Sequence, residues 1–239
     1  MRVECYFTHQ ICDKSCLEGR DAVVIDVLRA TSSITTALDA KAKAVIPVAG
    51  IEAALELAAS LPGTVLSGER EGQRLAGFQL GNSPYEFNSK TVAGRVIISC
   101  STNGTAAILK AAAAKRVWLA ALINARAVAD KLLEESVQDL AIICSGTIGE
   151  PSFDDILTAG AVLQQISRLA VPEMNDSALV ALRLYESCLP IGMTQALKLA
   201  SHAQRLIRFE HGPDVEYCSR ENISDTVPWL NKKDGRIYG

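Results

Sequence analysis

VVIDVLRATSSI, residues 23–34, is the stretch on which the fold turns. Val23, Val24 and Ile25 form a short β-branched run, Asp26 breaks it, and Arg29 leads into a Thr/Ser-rich segment with helix-start character. A continuous apolar run that ends in turn and helix-start residues reads as a buried parallel strand feeding a crossover helix. The pattern returns at 97–108, IISCSTNGTAAI, and at 141–152, AIICSGTIGEPS. Both run from an apolar strand through Cys and Ser into a Gly/Thr-rich turn.

Outward from these three, strand-like runs at 22–28, 44–48, 64–67, 95–100, 116–122 and 139–144 alternate with helical segments at 32–40, 51–60, 104–114, 125–135 and 153–170. This alternation predicts an α/β fold of three layers, α/β/α, around a largely parallel or mixed sheet. After residue 170 two helices follow in succession, 175–188 and 193–207, divided by Pro190 and Gly192. The expected organisation is one domain over residues 1–239, with a helical C-terminal subdomain from about residue 171. The tail from Glu210 is mixed and turn-rich. The longest stretch without clear structure, 68–90, carries charges, glycines and Phe78, and a loop of that length in a compact domain is usually functional.

Composition excludes several classes. The net charge is −3 with basic and acidic residues interleaved, and aromatic residues are 5% of the chain. There is thus no basic stripe for a nucleic-acid backbone and little to stack bases on. No apolar run reaches the roughly 18 residues of a membrane span. Residues 1–14 are polar, which fits no export signal. Seven scattered cysteines read as reduced thiols, so a cytoplasmic location is expected. Walker and GxGxxG motifs are missing, leaving nucleotide binding without motif support.

The chemistry of the three strand ends points to a small anion. Helix starts rich in Ser, Thr, Asn and Gly offer N–H donors and a favourable dipole to phosphate oxygens. Ser101, Thr102, Asn103, Gly104 and Thr105 form one such turn, and Ser145, Gly146 and Thr147 a second. The plain structural reading is helix capping. Arg29 and Arg70 can clamp phosphate or sulfonate oxygens, against surface salt bridging as the alternative for Arg70. Asp26 is the least comfortable charge in the chain: within an apolar run it calls for a partner or a metal. It could ligate a hard cation or act as a nucleophile. An aspartyl-phosphate enzyme would want a second Asp two residues on, where Leu28 stands, so metal ligation is favoured. Glu69, Glu150, Asp154 and Asp155 are the other acids available, and Mg²⁺ typically takes only one or two protein carboxylates. Cys100 and Cys144 lack an Arg six residues downstream and read as buried structural thiols.

VVIDVLRATSSITTAL, GEREGQRLAGFQLGNSPYEF, ISCSTNGTAAI and CSGTIGEPSFDDILTAGAV, in this order and spacing, resemble the 2-phosphosulfolactate phosphatase family, and VPWLNKKDGRIY resembles its closing segment. The resemblance implies a three-layer α/β fold and Mg²⁺-dependent hydrolysis of 2-phosphosulfolactate to sulfolactate and phosphate, a step of coenzyme M biosynthesis. On this reading Asp26, Arg29, Glu69 and Asp155 carry catalysis, with Asp26 and either Glu69 or Asp155 on the metal. Arg29, Arg70 and the two turns hold a small phosphorylated acid. A phosphatase for another phosphorylated hydroxy acid and a non-catalytic binder of acidic metabolites stay open as alternatives. A homodimer is the expected assembly.

Overall fold

A computed structural model describes all residues, Met1–Gly239. The strands are β1 (Arg2–Tyr6), β2 (Asp21–Ile25), β3 (Ala44–Pro47), β4 (Val65–Arg70), β5 (Gln73–Arg74), β6 (Val96–Cys100), β7 (Arg116–Ala120), β8 (Asp139–Cys144), β9 (Glu173–Met174), β10 (Trp229–Asn231) and β11 (Arg236–Tyr238). The α-helices are α1 (Ala30–Asp39), α2 (Ile51–Ser60), α3 (Ser89–Val92), α4 (Gly104–Ala111), α5 (Ala125–Glu134), α6 (Phe153–Leu169), α7 (Asp176–Cys188), α8 (Met193–Lys198), α9 (Ser201–Arg208) and α10 (Gly212–Cys218). No helix is long and apolar enough to cross a membrane.

All strands join one mixed sheet in the order β5-β4-β6-β3-β11-β10-β7-β2-β8-β1-β9. Two parallel blocks, β4-β6-β3 and β7-β2-β8-β1-β9, are separated by the antiparallel hairpin β10–β11. The α/β class read from the sequence is therefore correct, and the sheet is mixed. As with β1 and the two-residue strands β5 and β9, the sequence reading missed this hairpin. Each of its strands has three residues, too few for a periodicity signal, but the Asp234-Gly235 turn closes it with Gly235 at φ +70°. Leu230 and Ile237 point into the core and stitch the blocks together.

Strand alternation sorts the side chains into layers. Ala22, Val24, Ala141 and Ile143 from one block, and Val45, Val65 and Ile97 from the other, pack against Ile34 and Ala37 of α1 and Ala107, Ile108 and Ala111 of α4. Thus α1 and α4 lie on a face that both blocks share. On the opposite face Val23, Ile25, Ile142 and Cys144 meet α5, α6, α7 and the C-terminal helices, and Leu66 and Ile98 meet Ala54 of α2. Residues beyond 171 are part of this core: α7–α10 join its larger cluster and the hairpin lies in mid-sheet. Gly160 lets α6 and α7 approach closely, because a Cβ there would stand 2.1 Å from the Ala181 carbonyl oxygen. The helix expected over 193–207 is two helices, since Ala200 is extended (φ −66°, ψ 134°). That break turns α9 toward the carboxyl ends of β2, β4 and β6.

Candidate active site

Residues that follow β2, β4 and β6 meet α9 around a cleft of about 190 Å³. Asp26, Leu28 and Arg29 come from the β2–α1 turn, Glu69, Arg70, Glu71 and Gly72 from the end of β4, Ser101, Thr102 and Asn103 from the β6–α4 turn, and His202, Arg205 and Leu206 from α9. Asn82 and Ile148 complete the wall.

Asp26 stands where β2 stops, 7% exposed. One carboxylate oxygen, Oδ1, accepts the Ala30 N–H at 3.3 Å, so Asp26 satisfies the first free N–H of α1. Its other oxygen accepts no hydrogen bond from the protein and faces the start of α4, where a Cβ on Gly104 would lie 2.6 Å away. Burial pushes its pKa up to about 6; the neighbouring His202 and the Ala30 N–H pull the other way, and the Glu69 and Asp154 charges add to the rise.

The β6–α4 turn is locked on itself. Ser101 N–H donates to Thr105 Oγ1 and Thr105 N–H donates to Ser101 Oγ, both at 3.0 Å. Glu69 braces it from β4, its Oε1 accepting both the N–H and the hydroxyl of Thr102 and its Oε2 accepting the Gly72 N–H. Burial raises the Glu69 pKa, but these donors outweigh it and hold the carboxyl below its usual range. The N–H groups of Asn103 and Gly104, at the head of α4, make no hydrogen bond within the protein. They are free donors at a helix N-terminus, beside the open oxygen of Asp26.

Three arginines reach the cleft, and two are uncommitted. Arg29, 3% exposed, donates to Asp214 Oδ2 at 2.6 Å and to the Gly72 carbonyl at 2.9 Å. Asp214 is buried too and also accepts the Ser83 hydroxyl. Arg29 is thereby held in one orientation. Neither Arg70 nor Arg205 forms an ion pair within the chain, so both can meet a ligand's charge.

The other residues singled out from the sequence lie elsewhere. Asp155 is 2% exposed and does not line the cleft. Its carboxylate accepts Val27 N–H, Ser145 hydroxyl and Gly146 N–H at 2.8–3.1 Å, tying the β2 and β8 ends together. Burial, with Asp154 and Asp26 nearby, raises its pKa well above the usual range. Ser145 and Gly146 are thus donors to Asp155, and Thr147 pairs with Glu150 and Ser152 in its own turn. Of the second turn only Ile148 reaches the cleft. Burial raises the Cys100 thiol; Cys144 is pushed up by a hydrogen bond with Cys5 and by burial, consistent with structural roles. His202, Arg205 and Asp214 were not anticipated. A cue for the first two lay in the sequence, since positions 202, 205 and 206 have the i, i+3, i+4 spacing of one helix face.

A hard-cation ligand set fits the cleft narrowly. No three acid, His or Cys side chains come together as a metal cluster. Asp155 is spent on protein donors, and both Glu69 oxygens already accept. Asp26 presents a buried, open carboxylate oxygen, and the exposed Glu71 on the cleft wall also has no side-chain partner in the chain; one or two such carboxylates match an ion that keeps most of its waters.

A crevice at strand ends, with arginines, a helix start and an isolated carboxylate, defines an α/β protein whose site suits a small anion. Comparison with known proteins agrees. The family profile described as 2-phosphosulpholactate phosphatase matches residues 6–233. Proteins named "probable 2-phosphosulfolactate phosphatase" are similar along nearly the whole chain: one from Caldanaerobacter subterraneus subsp. tengcongensis is 39% identical over 232 residues (96% of this chain, 95% of the relative). One from Thermotoga maritima is 41% identical over 214 residues (90% of each chain), and one from Clostridium perfringens strain SM101 is 38% identical over 241 residues (99% and 96%). The chain belongs to the 2-phosphosulfolactate phosphatase family and is a phosphoric monoester hydrolase.

Proposed function

We propose that the chain hydrolyses 2-phosphosulfolactate to sulfolactate and phosphate in a Mg²⁺-dependent reaction of the coenzyme M biosynthetic type. The observation that carries this reading is the open oxygen of Asp26 beside the unpaired N–H groups of Asn103 and Gly104. That arrangement supplies a cation ligand and an anion cradle at one point. Mg²⁺ held by Asp26 and water would neutralise phosphoryl oxygens and lower the charge repulsion that an attacking water meets.

The protein's own residues do the rest. The α4 N–H groups and the helix dipole bind phosphoryl oxygens. Arg29, already oriented by Asp214 and Gly72, holds the anion with little further loss of freedom. The substrate carries a carboxylate and a sulfonate besides its phosphate, and Arg70 and Arg205 are the two free guanidiniums able to pair with them. Glu69 fixes Thr102 so that the turn does not yield when the anion enters.

The test is phosphate release from a panel of phosphorylated hydroxy acids, including 2-phosphosulfolactate, in Mg²⁺ or in EDTA. Release from 2-phosphosulfolactate that EDTA abolishes supports the proposal. Faster release from another acid would move the substrate, and tight binding without release would make the cleft a binding site alone.

A further inference from the structure

Alkyl phosphate hydrolysis has a requirement that the residues described so far do not meet: the departing alkoxide needs a proton. Arg29, Arg70 and Arg205 hold theirs too tightly. Glu69 accepts on both oxygens and is kept ionised by its donors. Asp26 faces the phosphoryl end of the cleft, and Glu71, the other carboxylate lining it, is exposed.

His202 is the one imidazole on the cleft wall. It projects from α9, its side chain 14% exposed, with Nδ1 3.8 Å from Oδ2 of Asp154. Asp154, in the first turn of α6, is 1% exposed and does not line the cleft, its other oxygen accepting the Ser152 hydroxyl. A buried carboxylate needs a charge partner. His202 is the only basic side chain in ion-pair range of Asp154. A separation of 3.8 Å is ion-pair rather than hydrogen-bond distance, and such contacts commonly tighten when substrate binds. With Nδ1 turned to Asp154, Nε2 is left for the cleft, the division of labour expected of an oriented acid–base histidine.

We infer that His202 is the general acid of this site, giving its Nε2 proton to the leaving ester oxygen, and that Asp154 is its positioning residue. The inference rests on the phosphatase reading above. Water oxygen bonds to phosphorus as the P–O ester bond breaks. The electron pair of that bond goes to the alcohol oxygen, which takes the proton from His202. Phosphate leaves the step as the dihydrogen ion, and the neutral imidazole recovers its proton from it.

A general acid matters only when the leaving group needs the proton, so the decisive experiment compares two substrates. Measure kcat and KM of wild type, His202→Ala, His202→Gln and Asp154→Asn on 2-phosphosulfolactate and on p-nitrophenyl phosphate, whose phenolate leaves unassisted. Circular dichroism and urea denaturation check the fold of each variant. The expected result for both His202 variants is a kcat loss of about 100-fold or more on the alkyl ester, within the usual range for general acid catalysis. KM should change little, and the loss on the aryl ester should be only a few-fold. Asp154→Asn should show the same leaving-group split at smaller size, a pattern that mere loosening of α6 would not produce. Equal losses on both substrates, or no loss in a folded His202 variant, would overturn the assignment. The wild-type rate separates the two claims: no phosphate release by wild type would remove the phosphatase reading, whereas a wild type active on both esters with no split in the variants removes only the role of His202.

Discussion

Asp26→Asn deletes one charge and preserves shape, so its effect on stability can be worked out from the burial of that carboxylate. Burial is the main reason its pKa rises from the usual 3.8 to about 6. The folded protein therefore holds this proton more tightly than the unfolded chain does, and ionising Asp26 costs folded-state stability. The sign follows directly. Below about pH 4 both states are protonated and the cost is nil; it grows as pH rises through the interval and is complete above the folded value. A displacement of that size corresponds to about 3 kcal/mol. In EDTA near neutral to mildly alkaline pH, Asp26→Asn should be more stable than wild type by up to about 3 kcal/mol in urea denaturation, with unchanged m-value. The gain should vanish toward about pH 4. Saturating Mg²⁺ should stabilise wild type, through binding to the native state only, and leave the variant unmoved. A variant less stable than wild type at the higher pH, or a difference that does not depend on pH, would refute the argument.

Three further outcomes follow from the same geometry. Gly104→Ala would place a methyl 2.6 Å from both the Ala30 Cβ and Asp26 Oδ2; α1 and α4 must separate, at about 1–3 kcal/mol of stability, visible as a lower Tm, and turnover should fall by on the order of 100-fold as the carboxylate is displaced. Asp214→Asn leaves the buried Arg29 guanidinium without its charge partner and should cost about 3–5 kcal/mol in urea denaturation, together with a higher KM. Arg205→Ala removes an unpaired surface of the cleft, so Tm should hold while kcat/KM for 2-phosphosulfolactate drops by about 10- to 100-fold, the range of a charge-assisted hydrogen bond of about 1.5–3 kcal/mol.

Most of the parallel framework was legible because buried strands and their crossover helices leave a periodic apolar record. Helix α2 falls on the predicted residues 51–60, and β8 on 139–144. The hairpin β10–β11 was not legible: three-residue strands carry no usable period, and their place in mid-sheet is decided by Leu230 and Ile237 contacts far away in sequence. At the site, Asp26, Arg29, Glu69, Arg70 and the Ser101–Thr102–Asn103 turn do converge on one cleft. Each ends a strand of the sheet, which is where sequence pattern says a ligand crevice should form. Asp155, Ser145 and Gly146 looked alike from sequence, yet they satisfy one another behind the wall, a distinction set by side-chain direction. His202 and Asp214 lie in the helical C-terminal region, outside any strand-end motif; His202 reaches the cleft because α9 restarts after Ala200, and Asp214 acts from α10 through Arg29.

The central claim is that Asp26 is the working carboxylate of a Mg²⁺-dependent phosphatase site. Its most direct test is phosphate release from 2-phosphosulfolactate by wild type and Asp26→Asn, each shown to be folded, with Mg²⁺ present. Turnover by wild type and loss of turnover in a folded, stabilised Asp26→Asn is the predicted result. Near-normal release by that variant would contradict it.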